Sequence, residues 1–359
     1  MFDNLFKAGL KSITNTDLSD IQWTQASLPV KDGGLGIRRV APLAPSAFLA
    51  SAASTHDLQD LILKGSMAPE DTVVEATRTK WSSTHNLSFP SPTASCKQAS
   101  WDAPSLAADK ASVLAGAQDN HNRARLLAAA APHTGDWLHA LPISNCGLRL
   151  DDEAIRVAVG LRLGVNLCQP HQCPCGATVD ARGTHGLACR RSAGRMSRHH
   201  YINDIIWRGL TRAGIPSTKE PSGLSRTDGK RPDGLTLIPW QGGKNLIWDV
   251  TVADTLAASH LFSTSATAGS AADIAAEKKE AKYAELARTY TFIPVACETL
   301  GPINTKALNF LGDLGRRIAS ISGDHREGTF LLQRLSIALQ RFNSVCFQGT
   351  FNRDADTEG

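Results

Sequence analysis

The chain has 359 residues, 42% of them hydrophobic and 20% charged, which is ordinary for a globular protein and long enough for two or three domains. A formal net charge of +4 is too mild to identify a nucleic-acid partner, so that argument must rest on local clustering. No apolar run reaches the roughly 18 residues of a membrane span, and the opening MFDNLFKAGLKS lacks the apolar core of a signal peptide.

Residues 1–55 contain glycines 33, 34 and 36, followed by a small-residue apolar helix expected at about 43–54. The glycines read as a turn, because no strand precedes them and no Lys-Ser/Thr follows. Residues 56–107 are rich in Ser, Thr, Pro and Asp with weak periodicity, and 88–95 reads as an exposed linker. A helix is expected from near Ala107 to the breakers Pro132 and Gly135. Another is expected over 151–164, with acids in its first turn and Ile155, Ala158, Val159 and Leu161 to bury.

Eight cysteines do not amount to disulfide density, yet Cys168, Cys173, Cys175 and Cys189 fall within 22 positions, which points to a metal. Cys173, Cys175, His185 and Cys189 supply three thiolates and an imidazole, a complete tetrahedral Zn²⁺ set. Cys168 and His171 are spare donors that could replace one of them. Arg182, Arg190, Arg191, Arg195 and Arg198 accompany this loop, and no acid lies between Asp180 and Asp204. Such a surface suits phosphate contacts; the alternative is a solvated basic patch. Ser197 can cap a helix that ends at Gly214, with Ile202, Ile205, Ile206 and Leu210 on its apolar face. His199 and His200 at its start are candidates for metal ligation or catalysis.

From Glu220 to Asp254 two short apolar runs, LTLI and NLIWDVTV, flank Gly242-Gly243 and read as a β-hairpin. A hairpin would bring Asp233 and Asp249 together as carboxylate ligands of Mg²⁺, a metal-dependent nuclease site. The alternative makes them turn and strand-edge acids paired with Arg231 or Lys230. A helix is expected over 271–289, with Ala275, Lys279, Lys282 and Leu286 on one stripe and Tyr283 one turn from Lys279. Residues 289–299 read as a strand beside the hairpin, and helices at 304–321 and 328–342 close the domain.

The ordered motifs CPCG…GTHGLAC, GRMSRHHYIND, EPSGL…DGKRPDG, WDVTVADT and EKKEAKY resemble the C-terminal region of non-LTR retrotransposon proteins that carry a restriction-like endonuclease. The resemblance covers roughly 137–345, and residues 20–55 are similar to the segment that follows the reverse transcriptase in such proteins. It implies an α/β restriction-endonuclease-like core with a PD-(D/E)xK site and a zinc knuckle, preceded by a mainly α-helical N-terminal region. The implied divisions are a thumb-derived segment at 1–55, a linker and helical region at 56–165, the knuckle at 166–196, the endonuclease at 197–345 and a frayed tail at 346–359.

The family pattern falls on Asp233 and Asp249. The lysine that usually stands two positions after the second acid is here Thr251, and the branch's K-x-x-K-Y pattern falls on Lys279, Lys282 and Tyr283, with Lys279 preferred. Glu220 is similar to the acid that often precedes the core. Arg198-His199 matches an Arg-His motif, but His200 stands where Asp or Asn is usual. The resemblance implies structural Zn²⁺, catalytic Mg²⁺, a nuclear location and DNA as partner, with room for the element's RNA. Lys230 and Arg231 join the five arginines as DNA contacts. The only Asp-Asp pair, Asp151-Asp152, follows Leu150 and opens a helix, so no polymerase site is expected, as in an element fragment, a truncated copy or a host protein derived from one. A nucleic-acid binder that cleaves nothing is the alternative function.

Overall fold

The computed structural model describes residues 2–62, 71–224 and 231–351, so Lys230 lies outside the described residues, as does the tail beyond 351. The chain divides into two units, one comprising residues 1–11, 18–29 and 35–116, the other comprising 12–17, 30–34 and 117–359. Among the described residues no helix is long and apolar enough to cross a membrane.

The first unit is helical, with α1 (Val40–Ile62), α2 (Thr72–His85) and α3 (Gln98–Ala115) as its longer elements within the 35–116 segment. Among the described residues, 56–107 is thus largely helix, while 88–95, read as an exposed linker, lies between α2 and α3 with one short turn at Pro92–Ser95. Asp71 caps α2 by accepting the amides of Val73 at 2.9 Å and Val74 at 3.3 Å. The α3 helix starts nine residues before Ala107 because its first turn carries Trp101, buried at 1% exposure. Its indole donates to Ser95 O at 2.7 Å, and Trp81 Nε1 donates to Trp101 O at 3.0 Å. Two tryptophans meeting edge to face, 5.0 Å between centroids, fill this core where smaller side chains would need a regular stripe. Position 55/56 falls inside α1, so no boundary lies there.

The second unit runs through α4 (Asp152–Leu163), the two-residue strands β1 (His171–Gln172) and β2 (Thr178–Val179), and α5 (Ala193–Arg212). It continues with β3 (Ser217–Lys219), β4 (Gly234–Gln241), β5 (Lys244–Ala253), α6 (Ser270–Lys282), β6 (Thr291–Glu298), α7 (Thr305–Ser322) and α8 (Glu327–Gln348). The sheet order is β3-β4-β5-β6, antiparallel except for the parallel β5/β6 pair. Gly242 and Gly243 turn the β4/β5 hairpin with φ of 58° and 73°, the left-handed pair that a two-residue type I′ loop demands.

The period of two on β5 divides its side chains between the faces of the sheet. Leu246, Trp248 and Val250 enter a core with Ile202, Ile205, Ile206 and Leu210 of α5 and apolar residues of α7 and α8. The opposite face carries Asp249 and receives α6, whose Ala272 and Ala276 pack on Ala296 of β6. Alanines let that helix lie close, so a lysine from it can reach the strand.

Three sequence expectations change here. The α5 helix begins at Ala193 rather than after Ser197, four residues beyond the last cysteine of the knuckle, so the 196/197 division falls inside it. The helix expected over 271–289 stops at Lys282, because Tyr283 turns inward to 1% exposure, and a separate turn follows at Leu286–Thr289. The 345/346 division falls inside α8.

Gly234 pairs with Trp248 in the β4/β5 register, and a Cβ there would lie 2.0 Å from the indole ring. Gly234→Ala must therefore displace Trp248, whose Nε1 donates to Asn203 Oδ1 at 2.7 Å. The expected cost is about 1–3 kcal/mol, read as a lower melting temperature with a shift in tryptophan emission; an unchanged melt would contradict this packing.

Candidate active site

Asp233 stands where β4 begins, and both its backbone and its side chain continue the ladder to β5. Its amide donates to Trp248 O at 2.9 Å, and its Oδ2 accepts the Val250 amide at 2.6 Å. Oδ1 turns the other way and meets His199 Nε2 of α5 at 3.3 Å. Asn203, one turn further along α5, places its Nδ2 3.5 Å from Asp233 O while its Oδ1 holds the Trp248 indole. The carboxylate is thus fixed by a strand on one side and a helix on the other.

Asp249 is buried, at 3% exposure, and its Oδ1 accepts Lys279 Nζ of α6 at 2.5 Å. Of the two candidate lysines, Lys279 makes this contact. Lys282 Nζ instead donates to Tyr283 Oη at 2.8 Å. Tyr283 Oη donates to Arg231 O at 2.8 Å, so its role is to hold the backbone just ahead of Pro232-Asp233.

Glu220 departs from the expected arrangement. Its backbone amide donates to Asp233 O at 2.9 Å, but its positive φ of 48° turns the side chain outward, where it pairs with Arg231. Among the described residues the one close-set group of three or more Cys, His or acidic donors is the knuckle; Glu220, Asp233 and Asp249 do not form another. Each of the three candidate acids has a basic partner. The aspartates pair with His199 and Lys279, and Arg231 pairs with Glu220.

The hydrogen bond that His199 donates to Asp233 raises the His199 pKa above its ordinary value; burial opposes this, and the charges of Asp233 and Asp249 add to it. A raised pKa means that the pair stabilises the metal-free fold fully below the ordinary histidine range of about 6.5 and loses that contribution as pH rises through the raised midpoint. Asp233→Asn is expected to return the His199 midpoint to the ordinary range in an NMR titration of the metal-free protein. A midpoint indifferent to that change would contradict the pairing.

The ligating atoms of Cys173, Cys175, His185 and Cys189 all lie within 4.8 Å of one another, so the cluster could hold a metal ion. Cys173 and Cys189 sulfurs are 3.8 Å apart, and Cys175 Sγ is 3.2 Å from His185 Nε2. The first spacing is what two sulfurs about 2.3 Å from one tetrahedral ion would show, and three thiolates with an imidazole are compatible with zinc. The Ala177 amide lowers the Cys175 pKa to about 6, whereas burial raises that of Cys173 to about 11. The spare donors are spent elsewhere. Cys168 Sγ points at Asp180 O, 3.5 Å away, and His171 bonds the Thr350 hydroxyl at 2.9 Å and stacks on Phe351.

The basic residues separate into two kinds. Arg198 is buried at 2% exposure, with its guanidinium donating to Asn343 Oδ1 at 2.7 Å and Leu187 O at 3.3 Å, and so cannot reach DNA. It ties the knuckle to α8. Arg190, Arg191 and Arg195 are exposed, Arg191 donating to Pro174 O at 2.8 Å and Arg195 to Ala188 O at 3.2 Å. Arg182 is partly exposed, 3.9 Å from Asp119.

Sequence reasoning missed Asn203, although its spacing of four from His199 puts both on one face of α5. No family model matches the sequence, and no curated protein is similar to it.

Proposed function

We propose that the chain is a metal-dependent DNA endonuclease of the restriction-like type, derived from a non-LTR retrotransposon and without a polymerase. The observation that carries this reading is the joining of Asp233 and Asp249 to one strand, with the ammonium of Lys279 brought onto Asp249 from a separate helix. Carboxylate oxygens are the donors Mg²⁺ prefers, and each oxygen has a second lone pair beyond the hydrogen bond it accepts. Asp233 and Asp249 would hold the Mg²⁺, whose chemistry there would be to make bound water more acidic and to offset charge building on the scissile phosphate.

The rest is the work of the chain's own groups. The Val250 amide holds the Asp233 carboxylate through one oxygen and so fixes its orientation on the strand. Lys279 balances the buried Asp249 before metal binding and, released by the cation, would face the scissile phosphate or the attacking water. Arg195 stands one turn before His199 on α5, so the exposed arginines lead from the knuckle toward Asp233 and suit a DNA backbone. The knuckle, with zinc on four protein ligands, has no open position and is structural.

The test is nicking of supercoiled plasmid by the zinc-loaded protein in Mg²⁺, with omission of Mg²⁺ and with Asp233→Ala as controls. Nicking that needs both the cation and Asp233 supports the reading. The pairing of Glu220 with Arg231, which leaves two acids where the family pattern offers three, favours a second reading as a non-cleaving nucleic-acid binder. DNA binding without nicking would select it.

A further inference from the structure

The helix that delivers Lys279 has no cap of its own. Gly269 stands at its N-cap position with φ of 85°, and no side chain there bonds the first turn. The orphan amides of a helix start need acceptors when they are buried. A different strand provides them. Glu298, at the end of β6 and 0% exposed, accepts the Ala271 amide at 2.9 Å and the Ala272 amide at 3.4 Å through Oε1.

We propose that Glu298 is the positioning residue of the site: by capping α6 from β6, it sets how far along β5 Lys279 reaches and so holds the ammonium on Asp249. The geometry makes a chain of rigid parts. Asp249 on β5 is fixed to β6 by the parallel register, in which Asp249 faces Pro294 and Ala253 faces Glu298. Glu298 is therefore four residues along the strand from the position opposite Asp249. From its cap, α6 rises to Lys279 nine residues after Ser270, about 13 Å of helix at 1.5 Å per residue. A shift at the cap moves the lysine by the same amount along the helix axis, because Ala272 and Ala276 lie flat on Ala296 and offer no side-chain knob to resist sliding.

Reach and charge can be varied separately at the cap. Burial pushes the Glu298 carboxyl above the usual carboxylate range, against the Ala271 and Ala272 amides and the Thr255 side chain, which favour the charged form. Glutamine keeps the Oε1 acceptor at the same reach. Aspartate keeps the acid and withdraws the acceptor by one methylene. The pair separates reach from charge.

This inference rests on the endonuclease reading only for its kinetic consequence, so the experiment has two arms. The first is independent of activity: acylation of Lys279 by a water-soluble amine reagent in the metal-free, zinc-loaded protein, followed by peptide mass spectrometry. Exposed Lys278 on the same helix serves as the internal reference, and Asp249→Asn as the loose-lysine control. Glu298→Asp is expected to raise Lys279 reactivity relative to Lys278 by about tenfold, approaching Asp249→Asn, while Glu298→Gln stays within about twofold of wild type. The second arm is nicking: Glu298→Asp lowers kcat by about tenfold with KM for DNA unchanged, and Glu298→Gln restores it. Lys279 reactivity in Glu298→Asp equal to wild type overturns the proposal. If wild type fails to nick, the endonuclease reading falls while the acylation arm still decides the role of Glu298. If Glu298→Asp does not fold, a Glu298→Gln protein with Lys279 as reactive as in Asp249→Asn overturns it, and wild-type reactivity in that variant upholds it.

Discussion

Asp249→Ala is expected to abolish Mg²⁺-dependent nicking, a loss of about a thousandfold or more, while DNA binding by the zinc-loaded protein without Mg²⁺ stays within a few-fold of wild type. Its carboxylate is the most buried acid of the pair and the one that Lys279 contacts. Lys279→Ala should be milder in rate, about a hundredfold, because it removes a stabilising charge rather than a ligand. Its effect on stability should be the larger one. A buried carboxylate stripped of its partner costs about 3–5 kcal/mol, so the variant should melt well below wild type. Added Mg²⁺ should recover part of that loss, since a cation at Asp249 replaces the missing ammonium. Melting temperatures with and without Mg²⁺ check this. A Lys279→Ala protein as stable as wild type, or one that Mg²⁺ leaves unchanged, would mean that the ion pair is ornamental.

The second large effect is at the knuckle. Structural zinc on such a ligand set contributes about 10–16 kcal/mol of apparent binding free energy, which a loop of this size converts into folding. Cys189→Ser should leave the purified protein without zinc and lower its melting temperature sharply. The damage should spread. A Cβ at Gly186 would lie 2.6 Å from Cys346 O, so the knuckle sits directly on α8, and Arg198 bonds Leu187 O from α5. The α5 helix also carries His199 and Asn203, which touch Asp233. Zinc loss is therefore expected to weaken nicking as well, although no knuckle residue contacts the acids in the described structure. Metal analysis with thermal melts is the check. A zinc-free Cys189→Ser protein with a wild-type melt would contradict a structural role for the ion.

What could be read in advance follows the physics of each element. The hairpin was legible because its strands are short apolar runs and its turn has two adjacent glycines, a local signal. The Cys/His cluster was legible because donor chemistry is carried by residue type; the elimination of Cys168 and His171 was not, because it depends on Asp180 O and Thr350. Arg198 was misread as a surface residue among look-alike arginines. The signal was there: Arg198, Ile202 and Ile205 stand at i, i+4 and i+7 and share the buried face of α5. The helix over 72–85 and the first turns of the one over 98–115 escaped because Trp81 and Trp101 build their core with two large side chains and little periodicity. Glu220 escaped for a backbone reason, a positive φ at a glutamate, which residue type does not announce. Glu298 had no local signal at all, since its task depends on the parallel register of β5 and β6 and on where α6 begins.

The most direct measurement is a Mn²⁺ titration of the zinc-loaded protein by calorimetry, with Mn²⁺ standing in for Mg²⁺ at an oxygen-donor site. Two aspartates that share a cation predict a single Mn²⁺ site in wild type that disappears in Asp233→Asn and, separately, in Asp249→Asn, with both variants still folded and still holding zinc. Mn²⁺ binding that survives either substitution, or that is missing from the wild-type protein, would contradict the account.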